Sequence, residues 1–529
     1  MSSCKSIQDK YKKHELRDHV YQLPDTYVGS AEKTVLETYV YDEASQHMIK
    51  QEVTYVPALL KIVDEVVVNA IDQTMRLRAA GAPADAKHVK NIWITADKES
   101  GRISVTNDGD GIDIDKHPEH KVWIPELIFG ELLTSSNYDQ NEEKVWGGKN
   151  GIGLKSTNIF SHELIAETVD WRNKKIYKQR FFNNMKEREP AIVKAYSKAS
   201  FTRISFMPDY ERFGMKGMTD DMFALFRKRA FDCCATTPAS VTVYFNDVKL
   251  EAKTFERYTD LYLGDKVAWP RTYEASADGR WEVVATYSEH GVFDQVSFVN
   301  GINTIRGGKH VDYISNQIAK NLVDMMAKKK KTATVQHIKA NMMVFVKSLI
   351  VNPAFDSQSK ETLNTPVTKF GSKFEVSDKF MAALYKTGIA DRASSLTAFH
   401  DTKKASKTDG KKTSRIIVPK LDDANLAGTK YSEECTLCLT EGDSARTMAI
   451  AGLSVVGRDR YGVFPLRGKM LNVKDAALTK ISQNEEITNL KKILGLEQGK
   501  NYADKSSLRY GKIMILTDQD SVTGDTPLL

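Results

Sequence analysis

Nowhere in this chain do about 18 apolar residues run together, so a membrane span is not expected. The opening, MSSCKSIQDKYKKHELRD, is polar and lacks the apolar core of a secretory signal. Cysteine is scarce. The five, Cys4, Cys233, Cys234, Cys435 and Cys438, are too scattered for a disulfide framework, which points to a reducing, intracellular compartment. Cys435 and Cys438 have the C-x-x-C spacing of half a zinc site, but no second pair lies nearby and CTLCLTEGD reads as a buried strand. Charge of one sign is also sparse. A net +7 over 529 residues is only a mild bias toward a polyanionic partner. Neither an internal repeat nor a Walker A loop, G-x-x-x-x-G-K-[ST], is present.

What is present is an ordinary globular composition, 41% hydrophobic and 27% charged, over a length that calls for about three domains. Basic residues concentrate in two places: the run Lys328, Lys329, Lys330, Lys331, and the apolar-poor stretch DTKKASKTDGKKTS at 401–414, which reads as a linker. PALLKIVDEVVVNAIDQTMRLR at 57–78 is patterned as an amphipathic helix ending at the Gly81–Pro83 turn. Two strands flank a turn in HVKNIWITADKESGRISVTNDGDGIDI. Strands are expected at FTRISFMPD, ASVTVYFNDVKLE and VSFVNGINTI, and a helix at HIKANMMVFVKSLIVN, 337–352. Further on, CTLCLTEGDSARTMAIAGL reads as strand, turn and helix, and KIMILTDQD as a strand with acids at its carboxyl end.

Three patterns suggest a nucleotide. Glu65 and Asn69 are four apart on the first helix and share a face, and Gln73 continues the row. Glu65 suits a general base for water, and Asn69 offers a neutral oxygen to Mg²⁺ on a triphosphate. In NDGDGI, Asp108 at a strand end is the expected acceptor for an adenine amino group, with glycines that let the backbone approach the ring. In GGKNGIGLKSTNIFS at 147–161, Gly147, Gly148, Gly151 and Gly153 free backbone N–H groups to wrap phosphates ahead of a helix start, and Lys155 can pair with the phosphate charge.

In this order the three patterns resemble the GHKL ATPase superfamily, and LPDTYVGS, DEVVVNAIDQ, IPELIFGELLTSSNYD and GGKNGIGLK resemble the eukaryotic and viral type IIA topoisomerases within it. The resemblance implies a multidomain α+β and α/β fold. Its parts are a GHKL (Bergerat) ATPase sandwich over 1–250 with an N-terminal arm, and a ribosomal S5-like transducer over 251–400. A basic linker at 401–414 leads to a partial, Rossmann-like TOPRIM domain over 415–520. It also implies that Ser135, Ser136 and Asn137 lie near the ribose. Gly148, Lys149, Asn150, Gly151, Ile152, Gly153, Leu154 and Lys155 would form the phosphate lid, and Tyr11 would reach the nucleotide of a partner subunit. FDSQSKETL matches the family's Q-T-K loop with Ser359 in place of Thr, so Gln358 and Lys360 would reach the γ-phosphate. The tetralysine run matches a DNA-facing loop.

EGDSA at 441–445, PLRGKMLNV at 465–473 and LRYGKIMILTDQD at 508–520 resemble the TOPRIM domain. By that resemblance Glu441, Asp518 and Asp520 hold Mg²⁺ that stabilises charge at a scissile DNA phosphate, and Lys469 and Asn472 contact DNA. Val522 stands where the family has a third acid. The tail SVTGDTPLL resembles the first block of an intein, with Ser521 as its splicing nucleophile, and no tyrosine here takes the DNA-linking role. The expectation is an ATP- and Mg²⁺-dependent type IIA topoisomerase acting on duplex DNA as a homodimer, in a nucleus or in the viral factory of an infected cell. The alternative is a GHKL chaperone or repair clamp without cleavage chemistry.

Overall fold

The computed structural model describes residues 13–79, 82–134, 143–148, 151–406, 409–467, 470–474 and 476–517. The chain divides into two units, Met1–Arg392 and Ala393–Leu529.

The first unit is built on two sheets. A hairpin, β1 (Thr34–Asp42) and β2 (His47–Tyr55), precedes the long helix α1 (Pro57–Arg76). Pro57 occupies the first helical turn, where its fixed φ suits the helix and its missing N–H costs nothing. Leu59, Ile62, Val63, Val66, Val67 and Ala70 are buried along the helix. The large sheet contains β3 (Asn91–Ala96), β4 (Ile103–Asp108), β5 (Ser161–Asp170), β6 (Lys175–Phe182), β7 (Glu187–Arg188), β8 (Ile192–Ala195), β9 (Phe201–Pro208), β10 (Thr242–Phe245) and β11 (Val248–Lys249). Among the described residues its order is β11-β10-β3-β4-β9-β5-β6-β7, with β8 on β6. Helices α1, α2 (Gly153–Ile159) and α3 (Asp220–Thr236) pack on it and on one another. Thr219 starts α3 by accepting from the Met222 N–H, a side-chain cap.

The second sheet has the order β12-β13-β16-β14-β15: β12 (Thr272–Ala275), β13 (Trp281–Tyr287), β14 (Asp294–Val299), β15 (Ile302–Asn303) and β16 (Met342–Ser348). Helix α4 (Lys309–Lys328) lies against β16. The expected boundary at 250/251 falls between the two sheets, yet one core cluster runs through both, from Ile62 and Phe206 to Val284, Phe298 and Phe345. The helix expected over 337–352 is corrected. Helical structure covers Val335–Ala340 and stops at Asn341; Met342–Ser348 is β16, parallel to β14 and antiparallel to β13. A continuous apolar run has the same pattern in a buried helix and a buried strand, and here the branched Val344 and Val346 sit in the strand.

In the second unit β17 (Thr436–Glu441) lies between β18 (Tyr461–Leu466) and β19 (Lys512–Leu516), all parallel. Helix α5 (Gly442–Val456) follows β17 directly, as strand, turn and helix. The linker expected at 401–414 is also corrected. The helix Ile389–Ser406 covers its first part. Beyond it, Gly410 N–H donates to Leu496 O at 2.8 Å, Lys491 Nζ meets Asp409 Oδ1 at 2.7 Å and Arg509 Nε donates to Thr413 O. Low apolar content concealed a segment fixed by its backbone and a half-buried ion pair. Cys435 and Cys438 are buried here, and Cys438 Sγ lies 4.0 Å from Met514 Sδ. No helix among the described residues is long and apolar enough to cross a membrane.

Candidate functional site

A cavity of about 220 Å³ opens beside α1 in the first unit, between the helix, the β4–β9 part of the large sheet and the loop before α2. Glu65, Asn69 and Gln73 all line it, one helical turn apart as their spacing requires. Glu65 is buried and Asn69 is exposed. From the loop come Gly148 and Gly151, and from α2 Gly153, Leu154 and Lys155. Gly151 has a left-handed φ of +66°. At Gly153 the absence of a side chain is a close-approach requirement: a Cβ would lie 1.8 Å from Glu65 Oε2. From the second sheet's side come Gln358 and Lys360. Lys360 also adopts a left-handed φ, +63°, which costs a lysine about 1 kcal/mol and aims it inward. Its Nζ lies 3.4 Å from Glu65 Oε1 and donates to Gly147 O at 3.3 Å.

Glu65 has a second cation. Lys61, one turn earlier, places Nζ 2.7 Å from Glu65 Oε1. Burial alone would raise the Glu65 carboxyl, but Lys360 and Lys61 more than offset it and hold it below the ordinary glutamate value. Asp72, which the sequence reading passed over, anchors the start of the lid: its two carboxylate oxygens accept from the Gly147 and Gly148 N–H groups at 2.8 Å each. Burial lifts its carboxyl to about 6, and the two amides limit the rise. Lys155 donates to Thr134 O at 2.7 Å.

Burial lowers the Lys155 ammonium to about 8. A bound triphosphate favours the charged form, so its pKa in the complex is higher. Below about pH 8 the lysine is charged in both states and affinity is flat; above it, binding takes up a proton. ATP affinity is therefore expected to fall by up to about tenfold per pH unit above pH 8, and Lys155→Met to flatten that fall. Calorimetric titration with a non-hydrolysable analogue across that range checks it.

Asp108 is corrected. Its carboxylate accepts from the Lys90 and Asn91 N–H groups and from Asn91 Nδ2, at 2.7 to 2.9 Å, tying β4 to β3 outside the cavity lining. Asn107 lines the cavity instead, with Thr202 and the apolar Val105, Ile112, Ile128, Phe129 and Ile204. Strand alternation is the reason, since Ile103, Val105 and Asn107 share the buried face of β4 and Asp108 falls on the other. Asn107→Ala is expected to weaken nucleotide binding at least about tenfold. Asp108→Ala should cost about 1–3 kcal/mol of stability and leave affinity nearly unchanged. Thermal melts with nucleotide titrations separate the two.

Ser359 is corrected as well, because it sits in a turn that sends its side chain away from those of its two neighbours. Gln358 and Lys360 face the nucleotide cavity, whereas Ser359 Oγ lies 2.7 Å from Ser357 Oγ and lines a second, smaller cavity with Leu60, Asp64 and Arg229. Ile152 is not in the lining; its carbonyl accepts from the Ser156 N–H in the first turn of α2. Arg76, also missed, lines the cavity and sits 5.7 Å from the Trp146 ring. Tyr11, Ser135, Ser136, Asn137, Lys149, Asn150, Lys469, Asp518, Asp520 and Ser521 lie outside the described residues.

The tetralysine run ends α4 and is exposed. Lys329 stacks on Tyr385 with Nζ 3.9 Å from the ring centre, and Lys331 pairs with Asp391. In the second unit Glu441 ends β17, one residue beyond the last β17–β19 pair, Thr440↔Leu516. Asn472 Oδ1 accepts from the Lys474 N–H. Among the described residues no group of three or more His, Cys, Asp or Glu could hold a metal.

Residues 55–188 match the family model described as histidine kinase-, DNA gyrase B- and HSP90-like ATPase, and residues 248–414 the one described as DNA gyrase B. The crystal structure of the ATPase region of Saccharomyces cerevisiae topoisomerase II superposes with a TM-score of 0.68 at 40% identity, covering 74% of this chain and 100% of that one. The chain belongs to the type II DNA topoisomerases. It carries their N-terminal ATPase and transducer region, with GHKL and transducer folds. The ATPase and transducer domains of the Balamuthia mandrillaris topoisomerase II give a TM-score of 0.69 at 37% identity over 75% of this chain and 99% of that one. Among longer relatives, DNA topoisomerase 2 of Acanthamoeba polyphaga mimivirus is 46% identical over 98% of this chain, and that of Pisum sativum 48% over 98%. The chain spans 41% and 35% of the lengths of those two topoisomerases.

Proposed function

We propose that this chain binds and hydrolyses ATP as the N-terminal engine of an ATP-dependent type IIA topoisomerase that passes one DNA duplex through another. The observation that carries this reading is the approach of Lys360, from the second sheet's side, to within 3.4 Å of Glu65 on α1. A base and a cation that reach one cavity from two parts of a unit suit a nucleotide whose terminal phosphate holds those parts together.

Glu65 takes a proton from water as the water oxygen bonds to the γ-phosphorus. The bridging P–O bond breaks and its electron pair leaves with ADP. Lys360 steadies the charge on the γ-phosphoryl group, and the N–H groups from Gly148 to Lys155 wrap the triphosphate. Asn107 and the apolar wall hold the base. The donor set fits Mg²⁺: Asn69, exposed on the Glu65 face of α1 and lining the cavity, would offer it a neutral oxygen. When bound, the metal offsets charge on the phosphates.

Tyr11 would complete the pocket of a second copy, making the ATPase a homodimer. Lys328 to Lys331 would meet the DNA backbone without reading sequence. Glu441, with Asp518 and Asp520, would hold Mg²⁺ at the carboxyl ends of parallel strands in a TOPRIM-like unit. Buried free thiols at Cys233, Cys234, Cys435 and Cys438 suit a reducing, intracellular setting.

The test is steady-state ATP hydrolysis against chain concentration, with and without duplex DNA. The expected rate rises more steeply than concentration, and DNA raises it at low salt with the effect fading as salt increases. A rate linear in concentration and indifferent to DNA would favour a chaperone or clamp, and no hydrolysis would remove the reading altogether.

A further inference from the structure

We propose that Lys61 is the positioning residue of Glu65, anchored by an ion-pair chain through Asp64 and Arg229 that reaches the second sheet. The proposal rests on the ATPase reading above and concerns the same site. Lys61 is 6% exposed. Its Nζ bridges Glu65 Oε1 at 2.7 Å and Asp64 Oδ2 at 3.3 Å. Asp64 Oδ1 accepts from Arg229 Nε at 2.5 Å, and Arg229 Nη2 donates to Gly301 O at 2.9 Å. Gly301 is in the β14–β15 turn and lies against Ile71 of α1; a Cβ there would meet Ile71 Cγ2 at 2.8 Å. Lys228 and Asp232 pair beside Arg229, and Asn303 Nδ2 donates to Asp232.

Buried ion pairs are poor stabilisers, since apolar residues of similar volume do as well or better, so four linked charges from Glu65 to Arg229, all but Asp64 buried, call for another reason. The chemistry of Glu65 supplies one. Its other cation, Lys360, also serves the phosphate. Once Lys360 turns to the nucleotide, a buried carboxylate with no cation beside it would take up a proton and cease to be a base. Lys61 is held away from that exchange by Asp64, so it keeps Glu65 ionised and aimed while Lys360 moves.

The charged groups facing Glu65 and Lys61 are Asp64, Lys360 and, through Asp64, Arg229. The experiment is the pH profile of ATP hydrolysis by the full chain with magnesium, for wild type, Lys61→Met, Lys61→Arg and Glu65→Gln. Lys61→Met is expected to lower kcat by about 10- to 100-fold near neutral pH and to leave KM within about twofold. It should also move the acid limb of kcat up by about one pH unit or more. Lys61→Arg should restore most of the rate and return the limb. If Lys61→Met does not fold, Lys61→Gln, polar and shorter, carries the same expectation. A wild-type rate in Lys61→Met, or a lost rate with an unmoved acid limb, overturns the proposal while the ATPase reading stands. Full activity in Glu65→Gln overturns that reading, and the proposal with it.

Discussion

Glu65→Gln is expected to slow ATP hydrolysis by about a thousandfold and to leave ATP affinity within a few-fold, the loss typical of a general base. The amide keeps the shape of the carboxylate and fills the same space beside Gly153, so the lid closes as before. It cannot accept the proton of the attacking water. The substitution also changes stability without nucleotide. Lys61 keeps an anionic partner in Asp64 at 3.3 Å, but Lys360 keeps only neutral acceptors, the amide oxygen and the Gly147 carbonyl. A buried ammonium that has lost its carboxylate costs about 1–3 kcal/mol. ATP gives Lys360 a new anionic partner, so the variant should gain more thermal stability from ATP than wild type does. Single-turnover hydrolysis and melts with and without ATP measure both effects.

Gly153→Ala should cause a comparable loss for a different reason. An alanine in place of glycine usually stabilises a helix by about 1 kcal/mol. At Gly153 the added methyl would lie 1.8 Å from Glu65 Oε2, so either the buried Glu65 carboxylate leaves its place or α2 shifts away from α1. Helix α2 is fixed to α1 by Thr157 Oγ1 donating to Ile62 O at 2.8 Å, and it carries Leu154 and Lys155 into the cavity. The expected result is a destabilised protein with hydrolysis down about a hundredfold and ATP affinity down about tenfold. A stabilised variant with normal hydrolysis would mean that α2 does not close on Glu65.

The helix-borne part of the site was legible in the sequence because a helix fixes its own geometry. Glu65, Asn69 and Gln73 share a face from spacing alone, and the cavity has all three. Gly151 and Gly153 were legible because close approach and positive φ select glycine. Misreadings came where a period of two decides. Asp108 drew attention as an acid before glycines, yet counting alternate positions from Ile103 puts Asn107 on the buried face. Ser359 was missed for another reason: it lies in a turn, with Lys360 at a left-handed φ, whose side-chain directions no local period announces. Nothing local marked Asp72 or Lys61, because their roles depend on partners brought close by the fold. Asp72 meets amides 75 and 76 residues away, and the Lys61 chain runs through Arg229 to Gly301. In Met342–Ser348 the apolar run was visible and its conformation was not, since sheet pairing with β13 and β14 decides it.

The most direct measurement of the central claim is a crystal structure of the chain with magnesium and a non-hydrolysable ATP analogue. The account predicts a triphosphate wrapped by the Gly148–Lys155 segment, a base against Asn107, and a γ-phosphate within hydrogen-bonding reach of Lys360 with Glu65 beside it. A nucleotide bound elsewhere, or a γ-phosphate out of reach of both Glu65 and Lys360, would contradict it.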